Sequence, residues 1–449
     1  MRKINFFLDN NIQRILIIFL YIQPIINLVT SLMIRFYGAD FTLGIIIRSL
    51  VLIILGYYSL VVIKSKFWYC SLIYILLITI YIIVYIFNIY NLKGASVLFM
   101  EIKYLIKAFY FPLMLLFILN IFDYKKINIK FLHFIISIYI YIVIIFIANL
   151  TQTAFVSYGG FKTGNVGWFY AANEIGSILG IMFPIVLIFV TKIKNKFLTY
   201  LILTAYITVL LQIGTKVPFL SVIISLLTTI IYCFLNYIKT KDKINISLLI
   251  SPFAIMLLFT FIILPYSPAG NNLNMHFKLV NVDSIRDFFI KDKVDSSKQN
   301  NINKPNPMNI IYSGRDQYLD YVKGNYNHLS LWRKITGVGY IEIDDLNKQK
   351  IKAIEMDFHD LFYRFGLLGF LLYFVIPFLI IYSNVETLTS YFLECLTDKT
   401  IMCCLSSILL GVAIASIAGH VLTAPAVSIY LVFIIMILNA KLNSIRDKK

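Results

Sequence analysis

The sequence predicts an all-α polytopic membrane protein with about twelve transmembrane helices, and three observations carry that prediction. The 449 residues are 60% hydrophobic and only 14% charged, whereas a soluble globular chain carries about 25% charged residues. Apolar runs of about twenty residues, long enough to cross about 30 Å of hydrocarbon, recur along the whole length. The basic residues between these runs concentrate in alternate loops, as the positive-inside rule expects.

The net charge of +18 at pH 7 does not indicate nucleic-acid binding, because most of the excess lies in short loops on one side of the predicted membrane. None of the five cysteines falls in the large polar loop between the ninth and tenth apolar runs, so no disulfide framework is expected there. The Cys and His spacings that hold zinc are also absent from the sequence. We therefore expect no metal site and no soluble catalytic domain beside the membrane part.

Twelve spans follow from the apolar runs. The first run follows a basic, polar start and lacks a small-residue cleavage site, so it is predicted to be a retained span. Segment 151–173 is too rich in glycine for a span and is predicted to pack at the membrane interface. The twelve spans are predicted at about 15–33, 43–63, 69–87, 104–121, 131–148, 174–190, 197–213, 219–235, 246–263, 361–382, 401–419 and 427–440.

The loop charges set the orientation of these spans. Lysine groups follow spans two, four, six and eight, so both termini are predicted to be cytoplasmic, in the cytoplasmic (inner) membrane. The large loop between spans nine and ten is then extracytoplasmic, and its Lys/Asn/Asp/Pro-rich part, 291–309, is predicted to be flexible. The chain divides into spans one to nine (1–265), the large loop (266–356), and spans ten to twelve with a basic tail (357–449).

Three basic residues of the membrane part are candidate ligand-binding groups. Arg48 lies near the outer third of an apolar span, where a bare cation is costly, so it should face a cavity or an anion; snorkelling to the interface or a structural pair is the alternative. Lys103 and Lys107 would share one helical face at the outer interface, where they would bind a ligand or anchor the helix to headgroups. These alternatives stay open from the sequence.

The outer loops add further candidates. Lys216 lies in the short turn GTKVP, against the positive-inside trend. Arg315 follows a serine and a glycine at the predicted start of a helix over 313–322, although most loop arginines are solvated. Gly337 and Gly339 in TGVG allow a close backbone approach to a ligand or simply an ordinary turn.

His359 is the leading candidate for acid–base chemistry. It lies at the junction between the large loop and span ten, where one side chain can contact water, a phosphate and lipid. Histidine is the side chain best matched to proton transfer near neutral pH. An ordinary interface residue is the alternative reading of this position.

The segment EMDFHDLFYRFGLLGFLLY around His359 resembles the histidine motif, H-[ND]-x-x-L followed by G-x-x-G, of the O-antigen ligase and Wzy-type polysaccharide polymerase superfamily. Other segments fall in the family's order, and the resemblance covers nearly the whole chain. They are GWFYAANEIGSILGIMFPIVL (167–187), IGTKVPFL (213–220), SGRDQYL (313–319), TGVGY (336–340) and AGHVLTAP (418–425).

The resemblance implies a GT-C-like, metal-independent glycosyltransferase without a cofactor that uses a glycan on an undecaprenyl-pyrophosphate-type lipid at the outer face. Lys216, Arg315 and His359 match the family's site positions. His359 would deprotonate or orient the acceptor hydroxyl, and the two cations would bind the pyrophosphate. Arg48 would extend the cationic patch, and Asp360 would steady the histidine or simply begin the helix. The implied partners are lipid-linked oligosaccharide, membrane lipid, and assembly proteins such as a flippase and a chain-length regulator.

Three functions are compatible with the residues. Polymerisation of lipid-linked repeats is favoured, because the ligases usually have arginine where this chain has Lys216, and lysine lacks the bidentate fork. Transfer of finished polymer to a lipid or wall acceptor, as an O-antigen ligase does, uses the same chemistry. A glycolipid transporter or flippase is the third alternative, although inverted repeats are not evident.

Overall fold

The structure is a computed structural model that describes residues 2–159, 162–191, 193–240, 243–279, 312–343, 349–351 and 353–447. The predicted flexible segment 291–309 lies outside these residues, as do Lys192 and Lys241 of the predicted cytoplasmic loops. The described residues are overwhelmingly helical, which confirms the all-α polytopic fold.

The described helices follow the apolar runs closely. Tyr58–Val62 is a π-helical turn, and Ala95–Val97 and Leu264–Tyr266 are 3₁₀ turns. Strand β1 (Ile341–Ile343) pairs antiparallel with β2 (Gln349–Ile351). The helices are α1 Arg2–Tyr37, α2 Leu43–Tyr57, α3 Trp68–Lys93, α4 Leu98–Tyr124, α5 Phe131–Leu150, α6 Ala172–Val190, α7 Lys196–Gln212, α8 Lys216–Thr240, α9 Lys243–Ile263, α10 Pro268–Leu279, α11 Arg315–Asn327, α12 Leu331–Thr336, α13 Asp357–Ser390, α14 Phe392–Thr397, α15 Lys399–Ile417 and α16 Pro425–Arg446.

Ten described helices are long and apolar enough to cross a membrane, so the chain is a multi-pass membrane protein. They are α1 to α6, α8, α13, α15 and α16. A broken pair, Pro252–Tyr266 with Pro268–Met275, passes the same test only together and is bent by 63°, and α7 is apolar but shorter. Each of the twelve predicted spans overlaps one helix of the set α1 to α9, α13, α15 and α16. The exact count of twelve stays a prediction, because α7 and α9 are not among the ten.

The centre of the bundle is formed by α4, α6 and α16. In an apolar stretch of 18 residues within each of these helices, 78%, 83% and 72% of the residues are buried. The corresponding share is 28% in both α2 and α3. A helix that is apolar all round and buried all round belongs to a core. The peripheral helices expose large side chains such as Ile53 and Ile83, which suits contact with lipid tails.

The loops predicted to be extracytoplasmic contact one another at one end of the bundle, which we call the outer end. Asn272 accepts a hydrogen bond from the Thr163 backbone N–H at 2.9 Å and donates to the Gly214 carbonyl oxygen at 2.9 Å. The Lys216 ammonium donates to the Ser313 hydroxyl at 2.9 Å. Loops that lie far apart in the sequence therefore form one continuous surface at this end.

The opposite end carries the loops with the lysine groups. Ion pairs join neighbouring elements there: Lys66 with Asp123 at 2.9 Å, Lys125 with Asp9 at 2.7 Å, and Lys441 with Asp398 at 3.0 Å. The grouping of the loops into two ends agrees with the grouping expected from their charges. Which end faces the cytoplasm stays a prediction of the positive-inside rule.

Glu101, at the start of α4, anchors the outer loop on the bundle. Its carboxylate is 1% exposed and accepts hydrogen bonds from the backbone N–H groups of Tyr340 and Ile341 at 3.0 and 2.7 Å. It also accepts from the Tyr85 hydroxyl at 2.9 Å and pairs with the Lys93 ammonium at 3.2 Å. A buried carboxylate with these donors ties the segment before β1 to α3 and α4.

Replacing Glu101 by alanine is expected to destabilise the fold strongly. Removing one partner of a buried ion pair costs about 3–5 kcal/mol, because the other charge is left without compensation. The measurement is the thermal unfolding midpoint of the purified protein in detergent. Glu386→Ala, an exposed carboxylate near the end of α13, is the control and should leave the midpoint unchanged. Equal midpoints for both variants would contradict the anchoring role.

The break in α13 is the second device that shapes the outer end. Gly366 has φ +69° and ψ 179° inside the helix, and a Cβ there would lie 2.5 Å from the Gly337 nitrogen. The carbonyl oxygen of Arg364, freed by the break, accepts hydrogen bonds from the N–H groups of Val338 and Gly339 at 3.0 and 2.9 Å. The first two turns of α13 are therefore separated from the rest of the helix by a kink, and they hold the part of the large loop that contains Val338 and Gly339.

Candidate functional site

A cavity of about 560 Å³ lies at the outer end, which we call the outer cavity. Its walls come from α1, α2, α4, the start of α6, the start of α13 and the loop before α16. Three of the candidate binding residues, Arg48, Lys103 and Lys107, line it together. Cations from two different helices therefore line one cavity, whose volume is within the range typical of ligand pockets, about 300–1,000 Å³.

Arg48 is 7% exposed and is held by neutral partners. Its Nε and Nη2 atoms both donate to the Gln23 Oε1 atom at 3.1 Å, and Nη2 also donates to the Asn27 side-chain oxygen. In the residues the structure describes, no carboxylate forms a hydrogen bond or an ion pair with this guanidinium. The positive charge is oriented by carboxamides but is not neutralised by them.

The two lysines of α4 differ in their surroundings. Lys103 is 9% exposed and its ammonium lies 3.7 Å from the carboxylate of Asp40, which is 73% exposed. The Lys107 ammonium lies 5.6 Å from the centroid of the Tyr104 ring, a cation–π distance. Glu174, at the start of α6, is close enough to act electrostatically on Lys107.

The facing wall of the outer cavity is acidic, but its carboxylates are engaged. Asp357 accepts four hydrogen bonds from the loop before α16, including those from the N–H groups of Val421 and Leu422 at 2.8 and 2.7 Å. The Asp360 carboxylate accepts the N–H groups of Ile354 and Glu355 at 2.9 and 3.0 Å. These acids organise the backbone around the cavity.

Lys216 and Arg315 form a second group of cations. Lys216 is the first residue of α8 and donates to Ser313, two residues before Arg315. Arg315 begins α11 after Gly314, whose φ of +84° suits glycine at this helix start. The guanidinium donates through Nε and Nη2 to the Glu355 Oε2 atom at 3.1 and 2.7 Å. The structure therefore brings together two of the three residues predicted to form the site.

Lys162 joins this group, which we call the cation cluster of Lys162, Lys216 and Arg315. Partial burial, with the nearby Arg315 charge, lowers the pKa of the Lys162 ammonium below its usual range. Lys162 and Arg315 also act electrostatically on Lys216. Burial raises the pKa of Tyr158, whose ring lies 5.2 Å below the Lys162 ammonium. Like charges held together in this way favour a bound anion.

A local turn explains why Lys162 lies beside Lys216. Gly214 has φ +77°, and a Cβ there would lie 2.4 Å from the Thr163 carbonyl oxygen, so the two segments touch along their backbones. The Asn165 N–H donates to the Gln212 carbonyl oxygen at 3.0 Å. Glycine at this position permits the close approach that aligns the two lysines.

His359 lies in the first turn of α13, half-buried, on a different face from Asp357 and Asp360. Its ring is stacked on that of Tyr363, with centroids 6.4 Å apart. The charge of Lys323 on α11 acts electrostatically on it. Its Nδ1 atom is buried and has no hydrogen-bond partner among the described residues. The ring does not line the outer cavity, which its neighbours in sequence do.

The remaining candidates take part in packing. Asp360 fixes the turn before α13 through the two N–H groups it accepts. Gly337 has φ +94°, and a Cβ would lie 2.4 Å from the Arg364 carbonyl oxygen. Gly339 has φ +78°, and a Cβ would lie 2.4 Å from the Glu101 carboxylate. The close approach that the sequence predicts at these glycines is made here by protein atoms.

The outer cavity also contains groups that the sequence reading did not select. His420 lines it with φ +60°, a left-handed conformation that is uncommon for residues other than glycine. Tyr110 is 2% exposed and its hydroxyl has no hydrogen-bond partner among the described residues. Glu355 lines the cavity while it binds Arg315, so it lies between the cavity and the cation cluster. The only sign of these residues in the sequence was a single polar side chain beside an apolar run.

Among the described residues, no group of three or more His, Cys, Asp and Glu side chains is placed to hold a metal ion. In the comparisons with known proteins, a family model described as O-antigen ligase like membrane protein matches residues 9–445. The searches of curated proteins and of solved structures each find no match to the chain. The matched range takes in all of the spans, the outer cavity and the cation cluster.

Proposed function

The chain belongs to the O-antigen ligase-like family of membrane proteins, and from that premise we propose that it polymerises lipid-linked oligosaccharide repeats in the synthesis of a surface polysaccharide. The family is one of membrane enzymes of polysaccharide assembly that act on lipid-linked saccharide. The observation that carries the finer proposal is the cation cluster, because Lys216 and Arg315 come from distant segments and meet through Ser313.

In the proposed reaction the cation cluster holds the pyrophosphate of a donor, a glycan on an undecaprenyl-pyrophosphate-type lipid. The oxygen of an acceptor hydroxyl attacks the anomeric carbon of the donor glycan. The bond between that carbon and the phosphate oxygen breaks, and its electron pair leaves with the carrier pyrophosphate. Lys216 and Arg315 stabilise the negative charge that builds on the leaving group.

His359 is the proposed general base that takes the proton of the acceptor hydroxyl. Because the Nδ1 atom is buried, the other ring nitrogen, Nε2, is the one proposed to take the proton. Imidazole is suited to this transfer near neutral pH. The activated donor supplies the free energy of the transfer, so the reaction needs no other energy source.

Polymerisation is preferred over ligation because of Lys216. Lysine presents a compact point charge, and arginine presents a planar fork that binds phosphate in a bidentate manner. We propose further that the protein lies in the cytoplasmic (inner) membrane with both termini cytoplasmic, so that the cation cluster and the outer cavity face outward. A flippase that delivers the lipid-linked repeats and a regulator of chain length are the expected partners.

The proposal is tested by reconstituting the purified protein in liposomes with undecaprenyl-pyrophosphate-linked repeats from the producing cells. A ladder of longer lipid-linked glycans on a gel is the expected result. Turnover only when long-chain donor meets a separate lipid or wall acceptor would instead establish a ligase. Movement of intact glycolipid across the membrane, with no new glycosidic bond, would contradict both activities.

A further inference from the structure

The outer cavity holds hydrogen-bonding capacity that the proposed donor site does not use. Arg48 is buried and bonded only to carboxamides in the described part of the chain, and Tyr110 places an unpartnered hydroxyl in the same walls. Lys107 adds a third polar group, with its ammonium over the Tyr104 ring. Buried charges are normally paired with an opposite charge, so the buried Arg48 guanidinium, held only by carboxamides, points to a bound anion.

We propose that the outer cavity binds an oxyanion that the acceptor carries, while the acceptor hydroxyl extends beyond the cavity to His359, which does not line it. The inference rests on the proposed function, because the acceptor is the second substrate of that reaction. Arg48 and Lys107 are the proposed contacts of the oxyanion. An oxyanion is favoured over a neutral hydroxyl, because a buried guanidinium without a carboxylate partner is stabilised most by an opposite charge.

The acids of the facing wall do not supply that opposite charge. Asp357 accepts four hydrogen bonds from the loop before α16, Asp360 accepts two backbone N–H groups, and Glu355 is bound to Arg315. Asp40 pairs with Lys103 near the mouth, where it is mostly exposed. Glu174, at the start of α6, also lines the cavity and acts electrostatically on Lys107. Arg48 remains the cavity cation to which no carboxylate of the described residues is hydrogen-bonded or ion-paired.

The shape of the wall suits a saccharide beside the oxyanion. Tyr104 and Tyr340 line the cavity with their rings stacked, centroids 4.9 Å apart and planes inclined by 18°. Tyr170 lines it as well. Aromatic walls with a few convergent polar groups are the usual composition of small-molecule sites. Asp360 remains able to accept hydrogen bonds from sugar hydroxyls, since a carboxylate has about four lone-pair sites and two of its sites are used.

The oxyanion has two chemical sources in this reaction. It is the carboxylate or phosphate ester of an acidic sugar in the repeat, or the pyrophosphate of the carrier lipid on which the acceptor repeat is built. Glu355 lies between the outer cavity and the cation cluster. Donor and acceptor sites on either side of one carboxylate would let two charged substrates meet without sharing a cation.

The test is a binding titration on the purified full-length protein in nanodiscs, with no turnover required. Oligogalacturonate is the probe for the acidic sugar, farnesyl pyrophosphate for the carrier, and a maltooligosaccharide is the neutral control. Arg48→Gln and Lys107→Gln are each expected to weaken binding of one anionic probe about tenfold or more. Lys66→Gln, which removes a charge from the opposite end of the bundle, should bind all probes like the unsubstituted protein.

The pattern of loss identifies the source. Weaker oligogalacturonate binding with unchanged farnesyl pyrophosphate binding assigns an acidic repeat. Loss of one of two bound farnesyl pyrophosphate molecules assigns the carrier of the acceptor. Unchanged binding of both probes to two variants that elute and unfold like the unsubstituted protein would overturn the proposal. No ladder growth by the unsubstituted protein in liposomes would instead count against the proposed function and leave the binding result standing.

Discussion

Glycosyl transfer by the His359→Ala variant is expected to fall by about 10²–10⁴-fold, the usual contribution of a positioned acid–base group. The ring is half-buried at the start of α13 and stacks on Tyr363. Its removal therefore costs little packing, and the protein should still insert in the membrane. The rate of ladder growth in reconstituted liposomes, together with the amount of purified protein, measures the effect. In cells, lipid-linked single repeats should accumulate while long chains disappear.

Two other histidines make this experiment specific. His328, exposed at the end of α11, is the matched control, and His328→Ala should polymerise at the unsubstituted rate. His420 lines the outer cavity, where His359 does not. A normal rate for His359→Ala combined with a lost rate for His420→Ala would transfer the role of the base to the cavity. Normal rates in both variants would remove histidine from the mechanism.

The positions of the long apolar helices were accessible from the sequence because they depend on local properties. An apolar run of span length must be satisfied by a helix in lipid, so α1 and α13 follow directly from composition. The break at Gly366 was not accessible, since a glycine in an apolar run carries the same hydropathy whether the helix continues or turns. It depends on a contact with Gly337 in a separate loop.

For the candidate site as well, the sequence indicated single residues but not how they are grouped in space. Charge against the positive-inside trend identified Lys216, and position in an apolar span identified Arg48. The structure places them in different groups, because the side of a helix that a residue occupies is set by tertiary packing. Glu101 was passed over for a related reason: the backbone N–H groups of Tyr340 and Ile341 that it accepts lie 239 and 240 residues away in the sequence.

The ion pair between Arg315 and Glu355 offers the sharpest test of the cation cluster. Arg315→Ala is expected to slow transfer by about 10²–10³-fold, the usual effect of removing one group that stabilises charge in the transition state. The ladder rate in liposomes and the binding of farnesyl pyrophosphate should fall together. Arg315→Lys should keep part of the rate that Arg315→Ala loses, because lysine supplies the charge without the planar guanidinium fork.

Glu355→Gln is the matched control, because it breaks the same ion pair from the other side. If the pair only holds α11 against the segment before α13, both variants should lose stability and activity alike. If Arg315 binds pyrophosphate, Glu355 competes with the substrate for the guanidinium. Removing its charge should then strengthen binding of farnesyl pyrophosphate, while Arg315→Ala weakens it. Parallel losses in the two variants would reduce Arg315 to a structural residue, and opposite changes in binding would place the donor pyrophosphate on it.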